Sequence, residues 1–255
     1  GPVLAERAGH ALAVRLAGID MPRQYQQYWE MARARSFEEF EAAVRLMQMP
    51  KSNLLYADRE GNIYYLAAGA IPARASGDYE FWRGIVPGDT SQTLWTDTLP
   101  YEGLPRALNP PAHWLQNAND PPWSVTSPAA FSPAQFPPWM SPQTMSFRAQ
   151  RSMRMITQAD RITFEAFRDS KLSTRSELAD RILDDLIAAA RARGRAREAV
   201  AVLEAWDHEA RAESRGAVLF FAWARLFQRE QHRFATPWSA AAPLATPDGL
   251  ADPAR

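Results

Sequence analysis

The sequence predicts an α+β fold: strands and a hairpin near the start, an irregular middle, and a helical part toward the end. Three observations carry the prediction. Between Asn53 and Tyr65 two short runs rich in Leu, Ile and Tyr flank Asp58-Arg-Glu-Gly61, where an Asp opens a tight turn and a Gly closes it, the pattern of a β-hairpin. Ser36-Phe-Glu-Glu39 and Thr174-Arg-Ser-Glu177 each set a capping hydroxyl three residues ahead of a glutamate at the head of an apolar stripe, which signals helix starts. Thirteen of the twenty prolines lie between Pro72 and Pro142, where no periodicity is sustained, so an irregular excursion separates the hairpin from the helical part.

In chain order, Ala11–Leu16 reads as a strand leading out of the Gly1-Pro2-Val3 opening, with Gly18 ending it. Residues 24–34 predict a first helix. Ser36 heads a second, in which Phe37, Phe40, Val44 and Met47 recur on one face, and it stops before Pro50. The chain is thus delivered to Asn53 at the mouth of the first hairpin strand, while Gly69 and Pro72 end the second strand and turn Arg74 back toward the same end. In the excursion, Trp82, Trp95, Trp114, Trp123 and Trp139 are costly to leave in water, which favours an ordered, packed segment over a disordered linker. Those rings serve either to anchor loops or to line a pocket. Beyond Phe147, the second capping box leads a face of Leu178, Ile182, Leu186 and Ala190, and Gly194 stops it. Arg195 to Trp206 predicts a further helix, and Val218–Phe227, apolar nearly all round, predicts a helix buried against the sheet. After Phe234 the Pro- and Ala-rich tail loses its pattern and is expected to fray.

Composition narrows the classes of function. In 255 residues, 46% hydrophobic and 23% charged, there is enough apolar material for one substantial core or two modest ones. A formal net charge of zero gives no field that would favour nucleic acid or an acidic membrane surface, and no apolar run reaches the ~20 residues of a membrane span. Zero cysteines exclude disulfides, thiolate metal sites and a Cys nucleophile. His10, His113, His208 and His232 are far apart and show no metal-ligand spacing. Arg191, Arg193, Arg195 and Arg197 stand among Asp180, Asp184, Asp185 and Glu198, which reads as a solvated mixed-charge face rather than a phosphate site. There is no G-x-S-x-G, P-loop or dinucleotide glycine signature.

An amide and a guanidinium are offered where two strands stop, which is where sheets commonly present chemistry, although an Asn ahead of a strand also serves as a turn residue bonding its own backbone. The pieces Gly1-Pro2-Val3, Asn53–Tyr65 with Ile71-Pro-Ala-Arg74, Leu115-Gln-Asn-Ala-Asn119, Phe147-Arg-Ala-Gln-Arg151, Ala205-Trp-Asp207 and Ser214-Arg-Gly-Ala217 fall, in this order, along nearly the whole chain. Together they resemble the penicillin acylase group of N-terminal-nucleophile amidohydrolases, which also holds the acyl-homoserine-lactone and aculeacin acylases.

The resemblance implies part of a four-layer αββα sandwich, and hydrolysis of a linear acyl amide through an acyl-enzyme on an N-terminal Ser. Gly1 stands where no such Ser can be matched, so the resemblance casts residues 1–255 as a single partial domain of the large (β) chain, inactive alone. Within it, 1–75 hold strands, helices and the hairpin, 76–145 the Pro- and Trp-rich excursion, 146–233 the helical part and 234–255 the tail. Asn53 takes the place of the family's oxyanion-hole donor, and Arg74 that of an arginine that holds the Asn amide or the nearby backbone, with a surface salt bridge as its other reading. The implied partners are the rest of the acylase, meaning the missing part of the β chain and the α chain, and a small acyl-amide substrate. Neither nucleic acid nor a membrane is expected. No cofactor is implied; some members hold a structural calcium, whose ligands this sequence does not mark out. A periplasmic or secreted location fits. The rival reading is a noncatalytic remnant of the fold that serves as an interaction module.

Overall fold

Asp58 and Gly61 close the hairpin as their chemistry dictates. In the computed structural model, which describes residues 2–7, 9–158, 161–194, 196–228 and 233–252, the Asp58 carboxylate accepts from the Asn62 backbone and side-chain N–H groups, both at 2.8 Å, and Gly61 takes φ +91°. Those bonds hold the Asp58 carboxyl below the usual carboxylate range, the Asn62 side chain contributing most. The described residues divide into two compact units, Gly1–Gln143 and Thr144–Arg255.

In the first unit, β1 (Val3–Arg7) and β2 (His10–Ala13) form an exposed antiparallel pair, and α1 (Gln24–Arg33) and α2 (Phe37–Val44) follow. Gly1 lies outside the described residues. The Ser36 hydroxyl caps α2 by accepting from Glu39 N–H, and Glu39 reaches back to Arg35 N–H at 2.8 Å. The helix ends at Val44, three residues short of Met47, which takes φ +52°. The hairpin strands β3 (Ser52–Ala57) and β4 (Ile63–Ala68) pair antiparallel, and β5 (Arg106–Leu108) adds to β4. Because β4 is central, it is buried on both faces from Tyr64 onward, while the edge strand β3 alternates. One face, with Tyr64, Leu66 and Ala68, packs on Phe40 and Val44 of α2 and on Tyr101, Leu104 and Trp139 of the excursion. The opposite face carries Tyr65 and Ala67, covered by Val125, Leu115 and Phe131.

The excursion is ordered. It is built from the five-residue helix α3 (Tyr79–Arg83), four short 3₁₀ turns and β5, and its backbone pairs at Pro72 with Thr98. None of the five tryptophans singled out there is exposed, and Trp139 is buried.

The second unit is helical: α4 (Phe147–Thr157), α5 (Phe164–Leu172), α6 (Glu177–Ala192), α7 (Arg197–Glu204) and α8 (Arg215–Phe227). Three sequence expectations are corrected here. The cap of α6 is Ser176, not Thr174, whose hydroxyl instead donates to Glu209 at 2.8 Å; Glu177 is a buried carboxylate bridging Arg154 and Arg181. Helix α8 is not buried all round against a sheet. Its Ala217, Phe220 and Ala224 pack on α6 and α7, whereas Val218 and Leu226 stay 72% and 61% exposed. The tail does not lose its pattern, since β6 (Phe234–Thr236) and β7 (Asp248–Leu250) pair antiparallel and Leu250 N–H donates to Asp185 at 2.9 Å. The Arg195 and His232 readings lie outside the described residues. Gly194 ends α6 at φ +63° as its residue type suggests.

The Ala205-Trp-Asp207 and Ser214-Arg-Gly-Ala217 pieces belong to one packing device. A Cβ on Gly216 would lie 2.3 Å from Trp206 Cβ, so glycine inside α8 is what lets the Trp206 ring lie against the helix. Its indole N–H then donates to Glu209 C=O at 2.8 Å.

Candidate active site

The hairpin register sets the site. Asn53 pairs with Ala67 and Leu55 with Tyr65, so Asn53 and Tyr65 are diagonal neighbours on one face of the sheet, within reach of a long side chain. The Tyr65 hydroxyl donates to Asn53 Oδ1 at 2.7 Å. With its carbonyl so engaged, the exposed Asn53 presents Nδ2 and both its hydrogens outward, and no other described group bonds them. Tyr65 itself has no exposed surface, and burial, with the Asp120 charge second, pushes its phenol far up, so it stays a donor across any working pH.

The support of Tyr65 comes from the Leu115–Asn119 piece. Buried Gln116 donates to Asp120 at 3.0 Å and to Ser124 C=O at 2.7 Å, and its backbone N–H donates to Val125 C=O at 2.8 Å. The Asp120 carboxylate also accepts from Ala118 N–H at 2.7 Å and from the Ser124 hydroxyl. This knot fixes Val125 against Tyr65 and Ala67. A loop some sixty residues downstream of Asn53 therefore holds the ring that aims its amide.

Gly69 makes the mouth narrow. At φ +102° its missing Cβ would sit 2.3 Å from Pro50 C=O, so the ends of both strands approach closely only because the residue is glycine. Ala70 N–H then bonds Met49 C=O at 3.2 Å, and Ile71 and Ala73 pair with Leu99 and Asp97, which carries Arg74 back past the mouth. No hydrogen bond joins Arg74 to Asn53, and among the described residues no carboxylate lies within ion-pair distance of it. Its guanidinium stands 4.4 Å from the Trp82 ring centroid and 5.8 Å from that of Trp139, with a buried, unpartnered Nε. Gly77, at φ +85° and with no room for a Cβ beside Phe81 and Trp82, lets the Trp82 indole N–H bond Ser76 C=O at 2.7 Å.

Sequence reading thus placed Asn53 and Arg74 at one end of the hairpin but missed Tyr65. The signal for Tyr65 was present: the Asp58–Gly61 turn fixes a register that sets it diagonal to Asn53. Among the described residues no three His, Asp or Glu side chains converge in a way that could hold a metal ion. No described helix is long and apolar enough to cross a membrane.

Comparisons with known proteins bear on the family and the fold. A family model described as penicillin amidase matches residues 1–252. Penicillin G acylase of Escherichia coli is 41% identical over 70 residues, 28% of this chain and 8% of that protein. The solved structure of a thermostable penicillin G acylase from Alcaligenes faecalis superposes with a TM-score of 0.62 at 21% identity, over 94% of this chain and 46% of that one, a likeness of fold. The chain thus spans less than half the length of that solved relative.

Proposed function

Since the chain belongs to the penicillin amidase family, we propose that it forms part of an acylase-type amidohydrolase that cleaves a linear acyl amide, with Asn53 as oxyanion donor. In this reading the described sheets are a portion of an αββα sandwich, and the nucleophile is an N-terminal serine carried by residues outside this chain. Attack of that serine on the amide carbonyl leaves negative charge on oxygen, and a preorganised N–H aimed at that oxygen stabilises the transition state more than the ground state. The observation that carries the assignment is the Tyr65–Asn53 bond: it fixes which end of the Asn53 amide faces outward. Were Asn53 only a turn residue, its side chain would bond its own backbone.

The test is Asn53→Ala in the complete, processed enzyme, with processing checked by gel. Losing one oxyanion donor costs about 10²–10³ in kcat, whereas losing a turn amide costs about 1 kcal/mol of stability and leaves kcat alone. Single-turnover acylation by a chromogenic amide within threefold of wild type removes Asn53 from the chemistry.

A further inference from the structure

Among the described residues of the second unit, α5 (Phe164–Leu172) buries no side chain of its own, whereas α4, α6, α7 and α8 each bury part of theirs. Its ends are held. The Thr163 hydroxyl caps it by accepting from Ala166 N–H at 3.2 Å, and the chain beyond it is tied down where Thr174 bonds Glu209. Between those ends Phe164 and Phe167 stand 75% and 61% exposed, and Leu172 70%. At i, i+3 and i+8 the three fall on one side of the helix. A nine-residue helix does not hold itself in water, where isolated helices below about 12–15 residues are marginal, so packing on its apolar side has to supply the rest. Its own unit leaves that side bare.

The chemistry of the face selects among the surfaces that could cover it. A lipid surface takes helices whose polar side is rich in Lys and Arg; here Glu165 and Asp169 offset Arg168 and Lys171, and Arg168 is bound to Asp169 at 2.7 Å. A second copy needs about 800 Å² from each partner, and at about 200 Å² per large side chain the three offer on the order of 400 Å². A surface within the same enzyme has no such minimum to meet, because the rest of the assembly holds it in place. We propose that the outward face of α5 seats in an apolar groove on the rest of the acylase, with Phe164 and Phe167 as its anchors, the mode in which an amphipathic helix docks through residues at i and i+3. The solved relative matches 94% of this chain with 46% of its own length, so more than half of that relative is available to form such a groove. What covers α5 rests on the amidohydrolase reading above; that the face is covered does not.

Two measurements on the complete, processed enzyme read the cover and its source. In hydroxyl-radical footprinting of wild type, Phe164 and Phe167 should be oxidised as slowly as Phe220, which has no exposed surface, rather than at their rates in urea. Phe167→p-benzoylphenylalanine then identifies the cover by photocrosslinking and peptide mapping, and Phe164→p-benzoylphenylalanine repeats the reading if the first variant folds poorly. Crosslinks to residues of the enzyme outside 1–255 are expected. Crosslinks only within 1–255, crosslinks to a second copy, or rings in wild type oxidised as fast as in urea each overturn the proposal. Turnover of a chromogenic amide is followed separately: protected, crosslinked rings without turnover sink the hydrolase and keep the docking face, and turnover with bare rings does the reverse.

Discussion

Tyr65→Phe tests whether the hairpin aims the Asn53 amide or merely carries it. The substitution keeps the buried ring and removes one hydroxyl, whose 2.7 Å bond to Asn53 Oδ1 is its only described hydrogen bond. Its acceptor is exposed, so water replaces the lost donor and stability falls by about 1 kcal/mol or less. Chemistry should fall further. A terminal amide torsion is broad and roughly twofold, so an unheld Asn53 offers carbonyl and NH₂ outward about equally, and loosely. The loss is bounded above by removal of the donor, about 10²–10³ in kcat, and below by the statistical factor of two; about 5–30-fold with little change in KM is expected. The assay is single-turnover acylation in the processed enzyme, with Asn53→Ala and the double variant completing a cycle. If Tyr65 acts through Asn53, the double variant is no slower than Asn53→Ala alone. A Tyr65→Phe rate within twofold of wild type, or additive losses, would refute the argument.

Three further substitutions probe the frame. Gly69→Ala sets a Cβ 2.3 Å from Pro50 C=O at φ +102°, so urea midpoints should report a loss on the order of 2–4 kcal/mol. Gly216→Ala should destabilise the helical unit despite a helix-propensity gain of about 1 kcal/mol, because Trp206 must move; an unchanged or raised Tm contradicts the packing described. Lys51→Met should raise Tm at neutral pH. A lysine with a lowered pKa has its charged form disfavoured by the fold, so wild type gains stability as pH rises through the folded Lys51 pKa, and the gap to Lys51→Met narrows above it; a lower Tm for Lys51→Met removes the desolvation argument.

The sequence spoke most clearly where local chemistry decides structure. Asp58 and Gly61 specify their turn, Ser36 its helix, and Gly194 a stop, because each acts through bonds within a few residues. The ordered excursion was legible through its tryptophans, whose burial offsets the ordering of an aperiodic chain. What stayed hidden depends on partners distant in sequence. Thr174 yields the cap of α6 to Ser176 because Glu209, 35 residues on, claims its hydroxyl. The buried ion pairs of Glu177 follow the same rule. Helix α8 reads as buried all round since its composition cannot show that its partners are α6 and α7 on one side only. At the hairpin mouth, the placing of Asn53 and Arg74 was legible from strand ends and turn residues, but the bond from Tyr65 to Asn53 needs the cross-strand diagonal.

Local rules are broken at one end of the hairpin and kept at the other. At the turn, the Asp58 carboxylate is satisfied by Asn62 and Tyr56, and Asn109 ties the loop to β5 through bonds of 2.8 and 2.9 Å. At the mouth, a glycine takes φ +102° against a carbonyl, two of the three cations lining one cavity have no carboxylate partner among the described residues, an arginine Nε is buried unbonded, and an asparagine holds its N–H groups to solvent. The unmatched charge and the unbonded Nε lower stability, and neither helps the sheet to form. A fold selected for stability alone would set a carboxylate beside Arg74 or replace Lys51. Strain and unmet charge gathered in one place, with the rest of the sheet conventional, mark the end where a ligand supplies what the protein withholds.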